Sequence, residues 1–267
     1  MAGTGYEPLN TPKPMAEDLW LIDGPAIQYG RVPYSTRATV VRLSGGDLWV
    51  HSPTELTKSL QAELEALGPV RHLVVPNAGH VTHIAAWQAA FPGTTTWVAP
   101  GVDIERAGQK LQMAEAETPW AGQLDQLVVR AGPKRYEAVF FHRASRTLVL
   151  ADLFEAHETK NLPTAVRPII WLSGTDDSGG HMRPKHRWAL REKDKAALAE
   201  DVETMIRWDP RRLIIAHGRC FKTNAVAELE RAFRKALRPY RWETAYRQHQ
   251  EKNQSRRGKK GDDDPIT

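Results

Sequence analysis

The chain has 267 residues, 41% of them hydrophobic and 26% charged, with a formal net charge of +5, which is the balance of a folded globular protein and excludes disorder over its whole length. One layered domain of roughly 200–250 residues accounts for most of it. A single cysteine, Cys220, excludes an intramolecular disulfide, residues 1–20 lack a secretory pattern, and no apolar run approaches the about 18 residues that cross a bilayer, so a cytoplasmic protein without a membrane partner is expected.

Residues 1–18 read as an N-terminal extension to a domain over 19–250. Leu19–Ile22, Thr39–Leu43 and Leu48–Val50 read as short strands, with Gly45-Gly46 turning the last two into a hairpin. Leu60, Leu64 and Leu67 then recur at helical spacing, with Thr57 as N-cap and Gly68 as the stop. Leu73-Val74-Val75 reads as a strand buried on both faces, and it opens through Pro76 into the polar turn 77–83. A helix through Ala85–Ala90, a strand at Thr96–Ala99, and strands at Leu124–Val129, Glu137–His142 and Thr147–Leu150 follow.

From Asp152 to Arg191 the chain is rich in Pro, Gly and isolated aromatics and lacks a period, as expected of a lid or binding loop inserted in the domain. Asn77, Trp171 and His181 are its substrate-contact candidates, with His186 and Trp188 beside them. Leu198, Val202, Met205 and Ile206 mark a helix capped by Asp194, Leu213–Ile215 a strand, and Val226, Leu229, Phe233 and Leu237 a last helix.

Charge is uneven along the chain. Residues 231–267 hold 11 Lys/Arg against 5 Asp/Glu, and the remainder is close to neutral. Residues 251–267 read as a disordered tail, since 253–261 offer no apolar side chain to bury. A weak nucleic-acid contact through that tail is the sharper alternative.

Three buried strands end at candidate ligands: Leu73–Val75 near His80 and His83, Thr147–Leu150 at Asp152, and Leu213–Ile215 at His217. Ligands in open α/β sheets bind beyond the strand ends, so one rim could collect all three. Each residue also has a plainer reading: the histidines as a polar turn, Asp152 as a cap, His217 as a satisfied buried ring, and Cys220 as a small buried apolar group.

The order of these signals resembles the metallo-β-lactamase superfamily, with its HxHxDH turn falling on residues 78–83, its strand-end Asp on Asp152 and its final Gly-His-Gly on Ala216-His217-Gly218. The segments Asp23-Gly24-Pro25, Val50-His51-Ser52-Pro53, Val75-Pro76-Asn77 and Phe141-His142-Arg143 are similar to a divergent branch of it, a domain-of-unknown-function family, DUF4336. The resemblance implies an α/β fold, a four-layer αββα sandwich, and a metal site. Ala78 and Thr82 stand where the motif has a His and an Asp, and no His occurs near Pro133-Lys134-Arg135, where a third is expected. One metal rather than two is therefore expected, held by His80, His83, Asp152 and His217.

Imidazoles with a carboxylate suit zinc or iron, and a catalytic zinc needs three protein ligands and an open position for water. His51, at the end of Leu48–Val50, is the candidate general base, with Asp152 as the other catalytic residue. The expected function is a mononuclear metal-dependent hydrolase of a small ester, lactone or thioester-like substrate. The alternative is a non-catalytic or nucleic-acid-binding relative that has lost the dinuclear site.

Overall fold

The structure, a computed structural model, describes residues 6–30, 32–104, 109–110 and 118–261. Seven strands cross the first sheet in chain order: β1 (Lys13–Ala16), β2 (Leu19–Tyr29), β3 (Val32–Arg42), β4 (Leu48–His51), β5 (Val70–Val75), β6 (Thr95–Val98) and β7 (Gln109–Lys110). Strands β1 to β4 pair antiparallel, whereas β4 to β7 pair parallel. The change of direction needs crossovers. Helix α1 (Lys58–Leu67) links β4 to β5, and α2 (Ile84–Ala90) links β5 to β6.

Helix α1 has the expected ends. Thr57 Oγ1 accepts the Leu60 amide at 3.1 Å, and Gly68 stops the helix where a Cβ would stand 2.4 Å from the Gly46 carbonyl oxygen.

The second sheet has four strands in the order β11 (Arg212–Ile214), β10 (Thr147–Val149), β9 (Arg135–His142) and β8 (Leu124–Gly132). Its residues alternate between two cores. Val128, Ala138, Phe140, Val149 and Ile214 pack with the first sheet, α1 and α2. Val129, Val139, Phe141, Leu148 and Leu213 pack with α5 (Glu192–Arg207) and α6 (Ala225–Gly261). Helix, sheet, sheet, helix is the four-layer order that the alternation dictates.

Several expectations meet a different structure. Strand β1 lies inside the segment 1–18 expected as an extension, adding an edge to β2. Residues 253–261 continue α6 instead of being disordered; extending a helix already anchored by packing adds a hydrogen bond per residue and needs no new nucleus. Residues 262–267 lie outside the described residues. Asp194 caps α5 from its third position, accepting the Arg191 amide at 3.2 Å. The segment 152–191 includes α3 (Arg167–Ser173) and α4 (Pro184–Trp188). It begins with residues 153–157 buried and bridged to Asp176, His181 and Gly218, so its start belongs to the domain's framework.

No helix among the described residues is long and apolar enough to cross a membrane. Strands β4, β5, β10 and β11 end at one rim, and the candidate ligands follow them.

Candidate metal centre

Three of the four expected ligands meet. His80, Asp152 and His217 each offer one ligand atom, and these atoms lie within 4.8 Å of one another. His217 Nε2 stands 3.1 Å and His80 Nε2 3.6 Å from Asp152 Oδ1. The far side of each ring is already engaged. His217 Nδ1 lies 2.6 Å from the Ser35 carbonyl oxygen, which can only accept, so that nitrogen carries the proton and Nε2 presents a lone pair to Asp152. The same holds for His80 when its Nδ1 donates to Ser52 Oγ at 2.6 Å. Two lone pairs and a carboxylate oxygen facing one another require a cation or extra protons between them. This is the orientation that outer hydrogen bonds give to histidines that ligate metal, and the donor set fits one divalent ion.

Asp152 is held from several sides. Burial opposes its ionisation, but when protons rather than a cation lie between the rings and the carboxylate, the hydrogen bonds from His217 and His80, with the Arg183 guanidinium, outweigh it and hold the carboxyl well below the usual carboxylate range. Arg183 donates to Asp152 Oδ1 at 2.9 Å and pairs with Glu155, while Glu155 Oε2 lies 3.2 Å from His157 Nε2. The corner carrying Asp152 is fixed by Glu137, whose carboxylate accepts the amides of Ala151, Asp152 and Leu153 at 2.8–2.9 Å. Burial, and then the Asp152 charge, push the Glu137 carboxyl up to about 7.

The His217 loop is clamped by an arginine. Arg37 Nη1 donates to the carbonyls of Ile215 and Gly218, both at 2.7 Å, and Arg37 Nη2 pairs with the buried Asp23 at 2.7 Å. Gly218 adopts a φ of 103°, and a Cβ there would stand 2.0 Å from the Ala156 carbonyl oxygen. Ser52, the partner of His80, has a φ of 56°, and such strain concentrates at functional sites.

The remaining expected residues lie outside the ligand group. His83 stands at the N-cap position of α2, makes no side-chain capping hydrogen bond, and lies outside the ligand group. His51 is 1% exposed, stacked on Trp49 with ring centroids 5.7 Å apart, and burial lowers its pKa to about 3. It is a poor proton acceptor at neutral pH. Asn77 orients the turn, donating to Glu137 at 3.2 Å and accepting the Gly79 amide at 2.8 Å. Trp171 is 57% exposed on α3, and His181 lines a separate pocket with Met182, Trp188 and Phe233.

Arg183, Glu155, Glu137, Arg37 and Ser52 were not singled out from sequence as site residues. Arg37 interrupts an apolar strand with a buried charge, which was the available signal. A cleft of about 430 Å³ opens onto Asp152, lined also by Asn77, Lys134, Arg135, Arg183 and Lys185.

Two helix-flanked sheets with a His/Asp group at their strand ends define a metallo-β-lactamase-like fold. Solved structures agree. The chain is similar to the metallo-β-lactamase from Erythrobacter litoralis (16% identity, 85% of this chain and 89% of that one, TM-score 0.56). It is also similar to the metallo-β-lactamase FIM-1 from Pseudomonas aeruginosa in its mono-zinc form (15%, 85% and 96%, 0.56) and to that from Hirschia baltica (12%, 84% and 96%, 0.56). The chain belongs to the family described as Domain of unknown function (DUF4336), whose model matches residues 17–252. No curated protein matches the sequence.

Proposed function

We infer that the protein is a mononuclear metal-dependent hydrolase of a small ester, lactone or thioester-like substrate. The observation that carries this reading is the convergence of His80 Nε2, His217 Nε2 and Asp152 Oδ1, with both outer nitrogens already committed to Ser52 and Ser35. Two imidazoles and one carboxylate suit zinc or iron(II). Such an ion supplies Lewis acidity and acidifies bound water toward neutrality.

The chain's own groups do the rest. Arg183, a fixed cation on Asp152 and Glu155, disfavours a second metal ion beside the first by repulsion. Its guanidinium also borders the cleft, where it can stabilise negative charge developing on a substrate carbonyl oxygen. Glu137 and Asn77 keep the Asp152 corner and the His80 turn in register.

Reconstitution with zinc or iron(II), followed by desalting and elemental analysis, tests the reading. About one bound equivalent, with hydrolysis of at least one ester or lactone in a panel, is expected. Folded protein that stays metal-free would instead favour a non-catalytic relative.

A further inference from the structure

The cleft that opens onto Asp152 has an unbalanced charge. Its two carboxylates are both committed. Asp152 faces His80, His217 and Arg183, and Glu137 accepts three backbone amides and the Asn77 side chain. Arg183 is likewise engaged, with Asp152 and Glu155. Lys134, Arg135 and Lys185 share the same lining, and no ion pair with an acidic group is found for any of them among the described residues.

Like charges gathered in a concavity repel one another and focus a positive field into it. Solvated lysines on a convex surface would cost less. The position of Lys134 sharpens the point. Pro133 and Lys134 form the two-residue turn from Gly132 to Arg135, and Lys134 has a φ of 54°. Glycine is the default residue in that left-handed region. A lysine there accepts local strain and places an ammonium group at the cleft.

We propose that the cleft binds an anionic oxygen group, phosphate or carboxylate, of a small-molecule substrate through Lys134, Arg135 and Lys185. Arg135 offers a fork that matches two oxygens of such a group, and the lysines act as point charges. The volume of about 430 Å³ falls in the range of small-ligand sites, roughly 300–1,000 Å³. The hydrolase reading supplies what then happens to the ligand; the binding itself does not depend on it.

Isothermal titration calorimetry on the full chain, zinc-loaded and chelator-treated, tests the proposal with phenyl phosphate, phenylacetate and the neutral phenylacetamide. One of the anions should bind at least tenfold tighter than phenylacetamide in both forms, more weakly as salt rises. Whichever anion binds tighter assigns the group. Replacing Lys134, Arg135 and Lys185 together by Ala should weaken that binding at least tenfold with metal content unchanged. Lys134→Gly alone, which relieves the φ and so should fold at least as well, should weaken it severalfold. Equal binding of neutral and anionic probes, or wild-type affinity in the triple variant, overturns the proposal. Tighter binding of a single-stranded oligonucleotide that competes with phenyl phosphate overturns the small-molecule assignment. Anion binding that the triple variant loses, in a protein that never takes up metal, would sink the hydrolase reading alone.

Discussion

Arg183 donates to Asp152 Oδ1 at 2.9 Å, and the same oxygen faces His217 Nε2 at 3.1 Å. The carboxylate therefore joins a fixed organic cation to the ligand group, and Arg183 also neutralises the fully buried Glu155. Arg183→Ala would leave Glu155 buried without its guanidinium partner, with His157 beside it. Breaking a buried pair on one side costs about 3–5 kcal/mol, and partial exposure of Arg183 places the expected loss near the lower end. Urea denaturation measures it, and Arg183→Lys should recover part of the loss.

Arg37 should matter to metal binding without touching the site's ligands. Its clamp on the carbonyls of Ile215 and Gly218 fixes the loop that aims His217, and its pair with Asp23 is 3–4% exposed on both sides. Arg37→Met is expected to cost about 3 kcal/mol or more and to weaken zinc affinity about tenfold, as loss of a supporting contact commonly does. Competition with a chromophoric chelator under conditions where the variant is folded separates the two effects.

Gly218→Ala is the severest small change available. The added Cβ would stand 2.0 Å from the Ala156 carbonyl oxygen, on a backbone with a φ of 103°. The backbone strain alone costs about 1–3 kcal/mol, and relief of the clash requires the His217 loop or the Ala156–His157 backbone to move. Loss of metal together with a lower thermal midpoint is expected. Wild-type values for both would show that the loop tolerates a side chain.

Acid should destabilise the fold through buried histidines. His51 titrates near 6.5 when unfolded and at about 3 in the fold. Between those values the unfolded chain binds more protons, so this contribution is complete above pH 6.5 and is lost as pH falls toward 3, by up to about 1.4 kcal/mol per pH unit. Burial moves His72, His142, His181 and His186 in the same direction, which steepens the total slope. His51→Phe should flatten the dependence by up to one proton in urea titrations between pH 4 and 7. An unchanged slope would place the lost protons on the other rings.

Much of the framework was legible because local chemistry and burial agreed. The all-apolar Leu73-Val74-Val75, the Thr57 to Gly68 punctuation of α1 and the periodic apolar residues of α5 and α6 carry their signals in short stretches of sequence. Asp152 and His217 stood out as polar residues just past buried strands. The full β2–β3 hairpin did not, because Gly24, Pro25 and Gln28 interrupt one strand and the buried Arg37 the other. Arg183 reaches Asp152 across 31 residues of aperiodic chain, and Glu137 shares a strand face with Val139 and Phe141, where nothing in the pattern points to the Asp152 corner. Long-range charge pairing leaves no local pattern to find, so the supports of the site emerged only from the fold.

Metal stoichiometry tests the central claim most directly. Wild-type protein reconstituted with zinc and desalted should retain about one equivalent by elemental analysis, while Asp152→Ala and His217→Ala should each retain far less than half. The double variant should lose little more, because both residues act through one ion, and His83→Ala should match the wild type because His83 lies outside the ligand group. Wild-type protein that holds no metal, or variants that hold as much as it does, would contradict a metal centre built on His80, Asp152 and His217.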